Sequence, residues 1–493
     1  MLNISKMLRF MWPIHRAELP VFLSMTGLMF CILFIQNIIR ALKDSIVNTL
    51  IGTEIISFLK VWGVMPASVL LVILYVKIVH LVEGKKIFYL VLSTFLLFFL
   101  FFAFFIFPNH EKLHLSDAKI HALVHLYPHA KWFIWLFAKW GFSLFYIIAE
   151  LWPNIIIGLL FWQFINQATT VEQSKRFYGL FGLIGQTGLF ISGQFLISLP
   201  QMSHFIINQY QPGSSATTIS VQILLSTVVL LGLIGMCFFS LINKLIANRH
   251  VSIIFKEKRQ KLTLRASIKM IFESRYIRLI AIIMICYGVS INLAETPWKS
   301  RAAKAFTVVE DYASFTGQYL SYTGICTVAL VLVNSSIIRT FGWFWAAIAT
   351  PIVMFVTGML FFISSNFESA NLTLANLFFV TDPLMFIIIV GSVQNTLSKS
   401  TKYTFFDITK EMAYVPLPDE LKTKGKAAVD VIGAKVGKSL SSLIQSTVFI
   451  MLPNETYESI SIYLMVIFAI TCVIWVWSVR ELAIEYDHLA KKN

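Results

Sequence analysis

The sequence predicts an all-α polytopic membrane protein with twelve transmembrane helices in two groups of six. Three observations lead to this prediction: the composition, the spacing of the apolar runs, and the distribution of basic residues between those runs. Of the 493 residues, 57% are hydrophobic and only 13% are charged, whereas soluble domains carry about 25% charged residues. This composition excludes a soluble globular protein, and it makes the formal net charge of +15 a property of membrane loops rather than of a nucleic-acid-binding surface.

Apolar runs long enough to cross a membrane occur six times in each half of the chain. A hydrocarbon core about 30 Å thick requires about 20 apolar residues in a helix. The first half contains such runs at 19–42, 56–82, 87–107, 140–167, 177–199 and 218–243. The second half contains them at 276–297, 312–337, 341–364, 376–397, 427–452 and 457–479.

Lysine and arginine collect on alternate connecting segments, as expected when cytoplasmic loops are enriched in basic residues. No lysine or arginine occurs in the segments 44–55, 200–217, 365–375 and 453–456. Basic residues do occur in the N-terminus and in the segments 83–86, 168–176 and 398–426. Both termini are therefore predicted to be cytoplasmic. Two segments on the predicted external side, 108–139 and 298–311, also carry basic residues and depart from the pattern.

The richest basic segment lies at the centre of the chain and divides it into three predicted domains. These are an N-terminal six-helix half (1–243), a basic cytoplasmic linker (244–275) and a C-terminal six-helix half (276–493). Two six-helix halves around a central basic loop are typical of the major-facilitator-like 6+6 architecture, in which the halves rock about a site near the membrane midplane.

Several charged residues lie inside or at the ends of the predicted spans. Because an ionisable side chain in a membrane costs about 2.5–3.5 kcal/mol on insertion scales, each is a candidate for a functional site. They are Arg40, Lys43 and Asp44 in the first span, Lys60 in the second, Lys139 and Glu150 in the fourth, Glu295 and Lys299 in the seventh, and Lys426, Lys435 and Lys438 in the eleventh.

The first and seventh spans occupy matching places in the two halves, and both end in a polar cluster. Across a pseudo-twofold arrangement, such clusters converge on one cavity. Lysines there would bind a polyanion, while Glu150 and Glu295 would pair with them when the cavity is empty. This pattern favours a phosphate-bearing solute over a sugar or a cation.

Other patterns give no further site. GAKVGKS (433–439) has three residues between its glycines, whereas a phosphate-binding loop requires four. His121, His125 and His129 have helical spacing, but Pro128 interrupts it, so no metal site is predicted. The five cysteines lie singly in apolar runs and are expected to be packing residues. No cofactor is predicted.

Long, ordered segments of the chain resemble the nucleotide transporter family of intracellular bacteria and plastids, the ATP/ADP translocases. The resemblance covers essentially the whole chain. It is carried by ALKDS (41–45), ISFLKVWGVMPA (56–67), AELW (149–152), LLFWQFINQATTVEQSKRFYGLFGL (159–183), YGVSINLAETPWKS (287–300), FFDITKEMAYVPL (405–417) and KTKGKAAVDVIGAKVGKS (422–439).

The resemblance implies exchange of external host ATP for internal ADP by alternating access, with phosphate as an accompanying solute. It implies a multi-pass protein of the inner membrane of an intracellular bacterium, with nucleotides as its substrates. The lipid bilayer is the other expected partner, no nucleic acid is expected, and the protein is expected to be a monomer. The family's four important charged positions match Lys43, Glu150, Glu295 and Lys426, with Lys424 as the rival of Lys426. Gln186 stands where family members often have Asn, which bears on base preference.

Three alternatives stay open at this point. The first is proton-coupled net import of GTP, UTP, CTP or another nucleotide, which the sequence does not separate from exchange. The second is a drug or peptide transporter of the same fold. The third is a membrane enzyme, which is disfavoured because no HxxxxD-type or Ser/His/Asp arrangement is evident in the sequence.

Overall fold

The computed structural model describes residues 14–82, 84–247, 271–418, 421 and 425–492. Every regular element in these ranges is helical, and none of the described residues forms a strand. The prediction of an all-α protein is therefore confirmed. The predicted linker 244–275 lies mostly outside the described residues.

Twelve long helices coincide with the twelve predicted runs, and we label them α1 to α12. The first six are α1 (Leu19–Leu50), α2 (Ile55–Phe58, Leu59–Val64 and Met65–Leu81), α3 (Gly84–Phe101 and Phe102–Ile106), α4 (Trp140–Trp152, Pro153–Phe161 and Trp162–Ala168), α5 (Val171–Ile197) and α6 (Ala216–Ala247). The stretches Leu59–Val64, Phe102–Ile106 and Pro153–Phe161 are π-helical.

The last six helices begin with α7 (Arg275–Ala305). The stretch Val309–Asn366 is divided at Gly342, whose φ of 85° bends the chain, into α8 before this residue and α9 after it. Glycine is required there because other residues rarely adopt a positive φ. The remaining helices are α10 (Pro383–Thr401, Lys402–Phe406 and Asp407–Ala413), α11 (Lys426–Met451) and α12 (Ser461–Lys492).

Nine helical segments among the described residues are long and apolar enough to cross a membrane. They comprise α1 to α4, α6 to α9 and α12. The other three long helices, α5, α10 and α11, carry more polar and charged residues along their length. The count of twelve spans therefore stays a prediction.

Local sequence explains where several of these helices begin. Thr170 caps α5 by accepting a hydrogen bond from the backbone N–H of Gln173, whose side chain in turn accepts from the Thr170 N–H. Ser274 caps α7, and Asp382 caps α10, in each case through a side-chain oxygen that accepts a backbone N–H. Such caps satisfy the first free N–H groups of a helix and so fix its start.

Three predicted connecting segments are corrected by the structure. Residues 44–50 belong to α1, residues 298–305 belong to α7, and residues 398–413 belong to α10. A scan for apolar runs ends a span at the first group of charged residues. In the folded chain these charges are paired inside the protein, which permits the helix to continue.

Short helices connect the long ones. Four of them, His110–Leu113, Asp117–Leu126, Pro128–Ala130 and Lys131–Ala138, lie between α3 and α4. Leu199–Tyr210 lies between α5 and α6, and Glu368–Leu377 lies between α9 and α10.

The two groups of six helices meet closely where α5 packs against α8. A Cβ atom on Gly193 of α5 would lie 2.5 Å from the backbone oxygen of Gly317, and one on Gly317 would lie 2.6 Å from the backbone oxygen of Gly193. The two backbones can approach this closely only because both residues lack a side chain.

Contacts between the two groups gather at one end of the molecule, which we call the closed end. It includes the turn 51–54, the segment 128–131 and the segment 450–458. Asn48 donates a hydrogen bond to the Tyr312 hydroxyl at 2.9 Å. A ring nitrogen of His129 lies 2.7 Å from the backbone oxygen of Ile450, and the Lys131 ammonium donates to the backbone oxygen of Pro453 at 3.2 Å.

Ion pairs described at the opposite end stay within one group of helices. Arg176 pairs with Glu18 at 2.7 Å within the first six helices. Arg275 pairs with Glu481 at 2.6 Å within the last six. The hydrogen bonds named here thus join the two groups at the closed end, whereas the ion pairs named at the opposite end each lie within one group.

Candidate functional site

A buried lysine on α1 forms the first part of the candidate site. The Lys43 ammonium lies 2.7 Å from Asp44 Oδ1 and 2.8 Å from Glu150 Oε1, and its side chain is only 4% exposed. The ring of Tyr146 lies beneath the same ammonium, 4.1 Å from the ring centroid. A cation over an aromatic face gains further electrostatic stabilisation. Lys43 therefore links α1 to α4, and its positive charge is balanced by neighbouring carboxylates in this state.

Asp44 extends the network into the last six helices. Its second carboxylate oxygen, Oδ2, accepts a hydrogen bond from the Lys299 ammonium of α7 at 2.9 Å. One aspartate thus joins a lysine of the first group to a lysine of the second. This contact must break if the two groups separate at this level.

Glu295 of α7 gathers three cations around one carboxylate oxygen. Its Oε1 atom lies 3.2 Å from the Lys299 ammonium, 3.1 Å from the Lys399 ammonium of α10 and 3.4 Å from the Arg40 guanidinium of α1. The Lys399 ammonium also lies 4.9 Å from the ring centroid of Tyr319. Both Glu295 and Lys399 are largely buried, with side chains 13% and 8% exposed.

A neutral amide connects the network to α2 and α11. The Lys60 ammonium donates to Asn292 Oδ1 at 2.7 Å. The Asn292 amide nitrogen donates to the backbone oxygen of Lys438 and to the Ser442 hydroxyl, both at 3.1 Å. No described carboxylate lies within ion-pair distance of Lys60.

Lys438 contributes a free cation on the same face. Its side chain is exposed, and it forms no ion pair with any described residue. Glu150, Arg40 and Glu295 are near enough to interact with it electrostatically. The side chains of Arg40 and Glu150 also keep 35% and 31% of their surface exposed. These three side chains therefore border space that water and solutes can enter.

The described site carries an excess of positive charge. Its cations are Arg40, Lys43, Lys60, Lys299, Lys399 and Lys438, and its anions are Asp44, Glu150 and Glu295. Six cations and three carboxylates leave three positive charges without a counterion. Because unpaired charges away from bulk water are costly, this arrangement favours an anion with several negative charges.

The structure brings together eight of the eleven charged residues that the sequence selected within the spans. They are Arg40, Lys43, Asp44, Lys60, Glu150, Glu295, Lys299 and Lys438. Lys426 lies apart from them, because it starts α11 and pairs with Glu411 of α10. Lys424 lies outside the described residues.

Gln186 is also placed away from the ion network. It lies on α5 beside α8, where its backbone oxygen would be 3.2 Å from a Cβ atom on Gly324. Its side-chain oxygen is buried and has no hydrogen-bond partner among the described residues. Its predicted role in base preference stays a prediction.

Sequence reasoning did not select two members of the site, Asn292 and Lys399. Lys399 was assigned to the basic loop 398–426, whereas it lies inside α10 and is 6% exposed. A signal was available, because the preceding turn contains the polar residues Gln394, Asn395 and Ser398, which are unusual next to an apolar run. Asp44 and Lys438 were selected as candidates within spans, but no specific role was predicted for either.

Comparisons with known proteins show the family to which the chain is similar. A family model described as TLC ATP/ADP transporter matches residues 2–486. A relative named ADP,ATP carrier protein 4, from Rickettsia conorii, is 54% identical over 490 residues, covering 99% of this chain and 96% of the relative. A second, ADP,ATP carrier protein 3 from Rickettsia bellii, is 42% identical over 501 residues, covering 99% and 98%.

Solved structures with low sequence identity share the fold. A bacterial homologue of the iron transporter ferroportin, in an inward-facing state, has a TM-score of 0.54 at 12% identity and covers 94% of this chain and 98% of its own. The nucleoside transporter NupG has a TM-score of 0.53 at 13% identity and covers 95% and 99%. At this identity only the fold is comparable, and the predicted major-facilitator-like architecture is confirmed.

Proposed function

Because the chain belongs to the TLC ATP/ADP transporter family, we propose that it exchanges external ATP for internal ADP across a bacterial inner membrane by alternating access. The family predicted from the sequence is thereby confirmed, and the chain is a multi-pass membrane protein of a bacterial transporter family. The observation that carries the proposal is the excess of three positive charges between the two groups of helices.

The size of this excess fits a nucleoside di- or triphosphate. ADP and ATP carry about three and about four negative charges near neutral pH, because their phosphates are ionised. A sugar or a drug without charge would leave the three cations uncompensated. A metal cation would add to the imbalance.

The exposed members of the site are proposed to bind the phosphates. Lys438 and Arg40 are accessible, and Lys60 lacks a carboxylate partner. Lys43 exchanges Glu150 for a phosphate oxygen when the nucleotide enters. Each such contact is a charge-assisted hydrogen bond, which is about twice as strong as a neutral one. Lys438 is the candidate on α11 that the geometry supports better than Lys426.

The carboxylates of the site support exchange rather than net uptake. Opening the closed end separates Asp44 from Lys299 and Arg40 from Glu295, and it leaves Arg40 without a carboxylate partner and Lys299 with Glu295 alone. A bound nucleotide replaces these partners, whereas an empty site cannot, so movement of the empty carrier costs several kcal/mol. Proton-coupled net import of GTP, UTP or CTP is the alternative and would require the carboxylates to be protonated instead.

The remaining features of the proposal come from the sequence. Both termini are cytoplasmic, which places the closed end outside and makes the described state inward-open. The domains are 1–243, 244–275 and 276–493. The protein acts as a monomer, and phosphate accompanies ATP or ADP to balance the difference of about one charge between them. No catalytic step is part of the function.

Uptake into proteoliposomes tests the proposal. Vesicles loaded with ADP are expected to take up labelled ATP many-fold faster than empty vesicles, and a protonophore is expected to have little direct effect. Labelled GTP, UTP and CTP, offered in parallel, report base preference. Equal uptake by empty and ADP-loaded vesicles that stops when a proton gradient is collapsed would establish the symport alternative.

A further inference from the structure

A buried carboxylate lies in the closed end, outside the ion network. Glu54 ends the turn between α1 and α2 and is only 9% exposed. None of the described cations lies within ion-pair distance of it. Its carboxyl group accepts hydrogen bonds from its own backbone N–H and from that of Tyr457, which belongs to the last six helices. Glu54 therefore sits on the interface between the two groups without a counterion.

Tight packing surrounds this carboxylate. A Cβ atom on Gly52 would lie 3.3 Å from Glu54 Oε2 and 3.6 Å from the ring of Trp132. The Ser57 hydroxyl donates to the Glu54 backbone oxygen at 2.9 Å. Tyr457 is 1% exposed. Water reaches the carboxylate poorly as long as the two groups are in contact here.

Charged and titratable groups on the neighbouring elements form no described ion pair with Glu54, and the partial stabilisation of its carboxylate by the nearby Lys131 and Lys304 is smaller than the effect of burial. Lys131, in the segment 128–138, donates instead to the backbone oxygen of Pro453, and His129 of the same segment contacts Ile450. Two cations at the end of α7, Arg301 and Lys304, are both paired with Glu458. The Tyr457 hydroxyl donates to Gln445 at 2.8 Å.

We propose that the Glu54 carboxyl is a proton-binding site whose occupancy controls opening of the closed end. In the closed state the group is held away from water, where a neutral carboxylic acid is favoured over a carboxylate. When the two groups separate at this end, the carboxyl enters water, where the carboxylate is favoured. One proton is therefore bound on closing and released on opening.

The direction of the effect follows from the pKa. Burial raises the pKa of Glu54 above its ordinary value of 4.5 in the closed state, and exposure restores that value. Protonation therefore stabilises the closed state relative to the open one. This stabilisation is fully present below pH 4.5 and is lost as the pH rises through the raised pKa. Low pH therefore shifts the equilibrium towards the closed state, and neutral or alkaline pH shifts it towards the open state.

A distance measurement across the closed end tests the proposal. Nitroxide labels are placed on cysteines at Leu126 and Met451, which are both 68% exposed and belong to different groups of helices, in a full-length chain whose native cysteines are replaced. Double electron–electron resonance in nanodiscs then gives the ratio of open to closed molecules between pH 4 and pH 8. This ratio is expected to rise with pH by up to about tenfold for each unit by which the two pKa values differ.

Variants at Glu54 and at a neighbouring acid decide the outcome. Glu54→Gln is expected to hold the closed fraction at its acid value over the whole pH range, whereas Glu54→Asp keeps a pH response. Glu455→Gln, an acid in the adjoining turn, serves as the control and keeps the response of the unmodified chain. A Glu54→Gln curve that follows the unmodified protein, or an unmodified protein without pH response, would overturn the proposal. Because no nucleotide takes part, the result is independent of the transported solute.

Discussion

Replacing Asp44 by Asn tests whether the buried ion network holds the closed end together. Asp44 makes two ion pairs, with Lys43 at 2.7 Å and with Lys299 at 2.9 Å. The pair with Lys43 lies within α1 and does not change when the two groups of helices separate. Only the pair with Lys299 crosses the interface, so it alone contributes to the equilibrium between closed and open states.

The expected magnitude follows from this single contact. A hydrogen bond to a charged group contributes about 1.5–3 kcal/mol. Lys299 keeps Glu295 at 3.2 Å as a second partner, so the substitution does not leave an isolated buried charge. Loss of the cross-interface contact should raise the ratio of open to closed molecules about 10- to 150-fold. Added ADP should reduce this difference, because its phosphates supply the missing negative charge.

The assay is the distance measurement between labels at Leu126 and Met451, at constant pH, with and without ADP. Asp117→Asn is the matched control, because Asp117 also pairs with a lysine at 2.8 Å but is 67% exposed. Exposed pairs contribute about 0–1 kcal/mol, so this control should leave the ratio nearly unchanged. An Asp44→Asn protein with the same ratio as the unmodified chain would show that the network does not stabilise the closed end.

The other predictions concern phosphate binding and the segment between α3 and α4. Lys438→Gln should strongly raise the half-saturation concentration for ATP, or abolish uptake, at normal membrane expression. Lys426→Gln should have a much smaller effect. Uptake of labelled ATP at a series of concentrations measures both variants. Burial lowers the pKa of His114 from about 6.5 to about 4, and the ring accepts a hydrogen bond from the Gly141 N–H. Folding favours the neutral ring, so its stabilisation of the folded state is present above pH 6.5 and is lost as the pH falls towards 4. The thermal unfolding temperature should therefore decline across this range, and His114→Gln should weaken that decline.

Each of these two predictions has a control within the chain. Lys119→Gln changes an exposed lysine far from the ion network and should leave ATP uptake unaltered. His125→Gln changes an exposed histidine of the same segment and should keep the decline in acid. Equal effects at Lys438 and Lys426 would argue for the assignment from the sequence and against the one from the geometry. An unchanged acid response in His114→Gln would exclude the ring as its source.

The sequence by itself determined the helices and the chemical character of the site. Long apolar runs form helices because a backbone without water must satisfy its own hydrogen bonds, and each predicted run coincides with a helix. A charged side chain within such a run has a high free-energy cost in the membrane, and this cost marks it as a candidate functional residue. That reasoning selects Lys43, Glu150 and Glu295, and it predicts a cavity for a polyanion.

Only the tertiary structure decided which charged side chains form ion pairs with each other. The pairing of Asp44 with Lys299 joins positions 255 residues apart, and no local pattern specifies a contact over that distance. Lys426 and Lys438 occupy the same helix, and packing alone directs Lys438 to the site and Lys426 to Glu411. The ends of α1, α7 and α10 escaped prediction for the same reason. Hydropathy is a property of one segment, whereas the cost of a buried charge depends on the partner that the fold brings to it.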